Sequence, residues 1–125
     1  MGDESCTTPA EVRRQLGLGC LGVVSIKVAR TGFAASRRIA HLCELESIPN
    51  LGGMQADTSL GSLCGAHFAA SCRNVKLPCE LTSFLDTVDD LLLEPPTIEN
   101  GWLSLPRRPG LGTEIDERKL EQYRL

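Results

Sequence analysis

Strand-like and helix-like stretches alternate along the first eighty residues, and this alternation restricts the fold more than any single motif does. Leu21 to Val28 is a β-branched run bounded by glycines with Lys27 as its only charge, which fits a short strand buried on both faces. Beyond Gly32, apolar Ala35, Ile39, Leu42, Cys43 and Leu45 recur at helical spacing between Ala34 and Glu46, with Arg37, Arg38, His41 and Glu44 on the opposite face. Pro49 to Gly53 predicts an extended segment. Thr58 or Ser59 caps a helix reaching about Cys72, and Val75 to Leu81 predicts a further strand. Ahead of all these, Thr8 as N-cap, Pro9 at the first helical position and Glu11 closing a capping box predict a helix through Leu16, ended by Gly17 and Gly19. The pattern is that of βαβ units around a parallel sheet, an α/β fold.

The last thirty residues depart from it. Asn100-Gly101 between Pro96 to Glu99 and Trp102 to Leu105 predicts a hairpin, because both turn residues tolerate positive φ. A closing helix is expected from Asp116 as N-cap to Tyr123.

Composition excludes some classes of function. The net charge is −3 and the basic residues are spread along the chain, so neither a nucleic acid nor a membrane surface is expected as a partner. No uncharged stretch, Gln15 to Ile26 included, reaches the roughly 20 apolar residues of a membrane span. Acids occupy the start where a secretory signal has bases, and the six cysteines include no C-x-x-C pair. These features predict a cytoplasmic protein with reduced, structural thiols.

Single residues are ambiguous when read alone. A lysine ending a strand commonly snorkels to the surface, and Asp3-Glu4 reads as a solvated acidic end. Asp57, just before Thr58-Ser59, could do no more than favour a helix N-terminus. Glu80 interrupts the apolar run Leu77 to Leu81, where a buried charge needs a partner or a role. His41 and His67 lack a metal-ligand partner one turn on, which favours structural parts for both.

In combination these segments are more specific. Gly2-Asp3-Glu4-Ser5, Ile26-Lys27-Val28-Ala29-Arg30-Thr31-Gly32, Leu51 to Gly61, Leu77-Pro78-Cys79-Glu80-Leu81 and the closing run from Pro95 to Glu117 resemble the C-terminal barrel of the enolase superfamily, in its mandelate racemase/muconate lactonizing enzyme family. The muconate-cycloisomerase-like group is the most similar. The resemblance implies a partial (β/α)8 TIM barrel from the end of strand 5 through strand 8 and the C-terminal return, with the capping domain and first barrel half absent from residues 1–125. It makes Asp3 one of three carboxylate ligands of Mg²⁺ or Mn²⁺, and gives catalytic positions to Lys27, Asp57 and Glu80. The implied chemistry is abstraction of the proton α to a carboxylate of a small carboxylic acid, by a cycloisomerase, racemase or dehydratase, with Lys27 brought to base strength by a cationic, desolvated site. One departure is Gly32-Phe33 where the family has two glycines.

With one metal ligand, the chain alone is expected to bind the metal weakly or not at all. With unpaired sheet edges, it is expected to self-associate or to need a complementing N-terminal chain, and Val24 and Ile26 are not expected both to be buried. The other reading is a non-catalytic remnant.

Overall fold

The computed structural model describes residues 1–124. Helix α1 (Pro9–Gly17) leads to strand β1 (Val24–Ile26), helix α2 (Val28–Leu45), strand β2 (Asn50–Gly52) and helix α3 (Ser59–Ser71). A 3-10 turn at Ser83–Asp86 follows, then β3 (Ile98–Glu99), β4 (Trp102–Leu103) and helix α4 (Glu117–Gln122). The capping box of α1 forms as the sequence predicts: Glu11 N–H donates to Thr8 Oγ1 at 3.2 Å, and Thr8 N–H donates to Glu11 Oε2 at 2.9 Å.

β1 and β2 pair in parallel with Val24 opposite Asn50, Ser25 opposite Leu51 and Ile26 opposite Gly52. Single parallel bridges add Gly2 beside Val24 and Val75 beside Asn50, so four chain passes lie side by side in the order Gly2, β1, β2, Val75. The strand expected over Val75 to Leu81 contracts to that one bridge. Lys76 and Leu77 N–H both donate to the carbonyl of Asn50, and Pro78 has no N–H to continue the ladder. Contact resumes at Glu80, whose N–H donates to Gly52 O at 2.7 Å.

The strand expected over Leu21 to Val28 is also shorter, because α2 begins at Val28, immediately after Lys27. Gly32, with φ 70° and ψ 162°, separates the first turn from the body of that helix. It occupies a region of backbone space open mainly to glycine. The hydroxyls of Thr31 and Ser36 lie 2.6 Å apart across this break, and Ser36 donates to Gly32 O at 2.7 Å.

Val24 and Ile26 are buried, at 0% and 2% exposure, which corrects the expectation that an incomplete barrel leaves them uncovered. Both pack into the helix layer with Cys6, Val12, Val28, Ile39, Cys43 and Phe68. Strand alternation then places Ser25 and Lys27 on the opposite face. On the helix side, Asn74 Nδ2 donates to Asn50 Oδ1 at 2.7 Å and to Ile48 O at 2.8 Å, so two buried amides lock β2 to the pass beside it. All six thiols are free; Cys6 and Cys43 are buried and Cys20 is exposed. Among the described residues no helix is long and apolar enough to cross a membrane.

Polar contacts hold the tail. The predicted hairpin forms with Asn100 at φ 51° and Gly101 at φ 80°, both positive as a type I′ turn requires. His67 Nε2 lies 3.0 Å from Leu111 O, and Asp90 Oδ2 accepts from Ser59 N–H at 2.9 Å. Asp116 caps α4, and Asp89 receives both Lys119 Nζ and, at 2.9 Å, the Tyr123 hydroxyl.

The Lys119 ammonium, with the Asp90 N–H and the Tyr123 hydroxyl, holds the Asp89 carboxyl down at about 2, against 3.8 when free. A depressed carboxyl contributes stability that is complete above pH 3.8 and is lost as pH falls through about 2. Carbon-13 titration is expected to place the Asp89 midpoint near 2, and Asp89→Asn to speed amide exchange in α4 while leaving α3 unchanged. A midpoint at the ordinary value would show that the latch does not form.

Candidate active site

The C-terminal ends of the parallel passes bring together residues distant in sequence. Asp3 follows Gly2, Lys27 follows Ile26, and Gly53 follows Gly52. In barrels this end of the strands carries the chemistry. Lys27 Nζ lies 2.9 Å from Asp3 Oδ1 and 3.1 Å from Glu4 Oε1. Arg30 Nη2 lies 3.2 Å from the same Asp3 oxygen and donates to Asp3 O at 3.2 Å, while its Nη1 is 3.8 Å from Glu4. Two cations therefore share two carboxylates, in a cluster where Lys27, Asp3 and Arg30 are mostly buried and Glu4 is exposed.

Local structure fixes this arrangement. Arg30 is three residues beyond Lys27 in the first turn of α2, and helical spacing returns its side chain to the same end of the sheet. Gly53 gives the Lys27 stem its path. A Cβ there would lie 2.2 Å from Ser25 Oγ, 3.1 Å from Lys27 Cγ and 3.3 Å from Lys27 Cε. Ser25 Oγ is itself buried without a hydrogen-bond partner, as is Arg30 Nε.

The electrostatics differ from the expectation for Lys27. Its hydrogen bond to Asp3 raises the ammonium pKa above the usual lysine value; burial opposes this, and Glu4 adds to it. The surroundings are anionic rather than cationic, so in this arrangement Lys27 holds its proton. Glu4, hydrogen-bonded by Lys27, is shifted below the usual glutamate value.

Among the described residues neither of the other two sequence candidates hydrogen-bonds or ion-pairs with this pair. Asp57 Oδ2 accepts from Gln55 N–H at 3.0 Å, and the side chain packs over Gly61, where a Cβ would lie 2.5 Å from Asp57 Cβ. Among the described residues the carboxylate that accepts from an N–H at the start of α3 is Asp90, which receives Ser59 N–H. Glu80 is exposed rather than buried in an apolar run, so its charge carries no desolvation penalty; its backbone is tied to Gly52, and among the described residues its carboxylate makes no ion pair. The sequence reading passed over Glu4, Arg30 and Gly53. Arg30 stands in the Ile26-to-Gly32 motif, and starting α2 at Val28 is what returns it to the end of the sheet.

Among the described residues no three of His, Cys, Asp and Glu converge as a metal site. Asp3 is already divided between Lys27 and Arg30. The residues of this chain do not fit a divalent cation by themselves, because Mg²⁺ needs several oxygen ligands in near-octahedral array.

Comparison with known proteins gives a consistent picture. Residues 1–119 match the family described as enolase C-terminal domain-like. Muconate cycloisomerase 1 of Pseudomonas putida is 30% identical over 124 residues, covering 98% of this chain and 33% of that protein. Its counterpart in Acinetobacter baylyi is 32% identical over 125 residues, covering 99% of this chain and 34% of that protein. The solved structure of a muconate lactonizing enzyme from Mucobacterium Smegmatis complexed with muconolactone superposes with a TM-score of 0.93 at 42% identity, covering 98% of this chain and 34% of that one. The chain thus spans about a third of the length of these relatives.

Proposed function

The chain belongs to the enolase C-terminal domain-like family, and from that premise we propose that it supplies the lysine-bearing side of a barrel site that abstracts the proton α to a carboxylate. Its α/β fold matches the C-terminal barrel part of muconate lactonizing enzymes. The assignment proposed within that fold runs from the end of barrel strand 5 at Gly2, through β1 as strand 6 and β2 as strand 7, to the pass at Val75 and Glu80 as strand 8. In this reading residues 1–125 are the C-terminal part of a barrel domain, and the capping domain and first barrel half come from sequence outside them. The parent activity would be that of a cycloisomerase, racemase or dehydratase acting on a small carboxylic acid. The six free thiols support a cytoplasmic setting.

The observation that carries the proposal is the 2.9 Å contact between Lys27 and Asp3, 24 positions apart in sequence, at the C-terminal end of adjacent parallel passes. Lys27 is the group that takes and returns the proton. Arg30 holds the Asp3 carboxylate in place. Glu80, exposed on a neighbouring pass, is free to meet substrate. The contacts of Asp57 support a loop-shaping part rather than a catalytic one. Mg²⁺ or Mn²⁺, implied by the family resemblance, would need carboxylates from outside these residues alongside Asp3. When bound, such an ion supplies stabilisation of negative charge on the substrate oxygens.

The closed ion cluster around Lys27 favours a second reading, a non-catalytic remnant in which the same four side chains only tie the Asp3 loop to α2. One comparison separates the two. The chain alone is expected to show only weak Mg²⁺ binding by calorimetry and no exchange of the α-protons of muconolactone in deuterated water. A reassembled barrel, in which the chain is paired with the remaining two thirds of a muconate lactonizing enzyme, is expected to show exchange. Tight, stoichiometric Mg²⁺ binding by the chain alone would mean that the site is built from other residues.

A further inference from the structure

A groove lies on the helix layer, away from the sheet edges. The C-terminal halves of α1 and α2 enclose a groove of about 420 Å³ lined by Arg13, Leu16, Gly17, Leu42, Leu45 and Glu46. Leu16 and Leu42 are partly buried against the core and form its apolar floor. Leu45 stands 68% exposed at its edge, and Leu18, just past the end of α1, is 67% exposed. Large aliphatic side chains left this open beside a groove mark an interaction surface more often than isolated exposed residues do.

The charges on the rim identify the occupant. Arg13 belongs to α1 and Glu46 caps α2, so the two rims carry opposite charges. Among the described residues neither makes an ion pair with any other group. A two-fold axis along such a groove places Arg13 of one copy against Glu46 of the other, twice. A foreign protein would have to reproduce this pattern, whereas a second copy carries it already. We infer that the α1/α2 groove is an isologous docking surface for a second copy of this chain, with Arg13 and Glu46 as reciprocal partners.

Sedimentation equilibrium on the full chain and on charge-reversed variants tests this. The wild type is expected to form a reversible dimer. Arg13→Glu or Glu46→Arg alone sets like charges face to face twice per dimer and should weaken it by about tenfold. The double variant Arg13→Glu/Glu46→Arg should return to within about threefold of wild type, because the pairing is restored with its polarity reversed. All four proteins should share one circular dichroism spectrum, since both positions are exposed. A wild type that stays monomeric at the concentrations used for NMR would overturn the inference. So would association indifferent to the reversals, which would locate it at the sheet edges, or a double variant no better than the singles.

Discussion

Lys27→Ala in the reassembled barrel is expected to lower turnover by about 10²–10⁴, the usual contribution of a positioned general acid or base. The side chain is anchored along its whole length: Gly53 admits the stem, and Asp3 and Glu4 receive the ammonium. Alanine removes the proposed proton carrier and leaves Asp3 paired with Arg30 alone. Solvent-deuterium exchange separates this from a loss of folding, since a structural lesion lowers stability and exchange together, whereas loss of the acid/base group abolishes exchange in a folded protein. Near-normal exchange in a folded Lys27→Ala protein would remove this residue from the chemistry. The pH dependence has a defined sign. A raised lysine pKa contributes stability that is complete below the ordinary lysine value of 10.5 and is lost as pH rises through the higher folded value. Lys27→Met should therefore flatten the alkaline limb of the stability profile.

Phe68→Ala is expected to destabilise the chain by about 3–5 kcal/mol, the range for truncating a fully buried aromatic side chain. Phe68 is 1% exposed and belongs to the core cluster that α3 shares with β1, α1 and α2. Its loss opens a cavity where the helix layer meets the sheet. Urea unfolding gives the value directly, with Trp102→Ala as the contrast: Trp102 is 79% exposed, and its removal should stay within about 0.5 kcal/mol. A Phe68→Ala cost below about 1 kcal/mol would mean that this core is not formed as described.

Features fixed by neighbouring residues were legible in the sequence. The capping box at Thr8 and Glu11, the positive-φ turn at Asn100-Gly101 and the Asp116 cap depend on contacts over two to four residues, and each forms where the pattern indicates. Features that depend on distant partners were not. The apolar spacing starts a helix at Ala34, beyond Gly32, whereas in the fold Gly32 joins one helical turn to the next with a break in backbone angles. The run from Val75 reads as a strand by composition, yet Pro78 ends the ladder. The acid at the start of α3 is Asp90, 31 residues beyond Ser59, and no local rule selects it over Asp57. The Asp3 and Lys27 segments were found through the family pattern; their mutual contact, and the Arg30 guanidinium that shares Asp3, required the fold.

The most direct test of the central claim is α-proton exchange measured by NMR in deuterated water, on the same carboxylic acid, for the chain alone, its reassembled barrel and the reassembled barrel carrying Lys27→Ala. If the chain contributes the lysine side of a proton-abstracting barrel, exchange will appear only in the reassembled barrel with Lys27 intact. Exchange by the chain alone, or exchange in the reassembled barrel that survives Lys27→Ala, would contradict it.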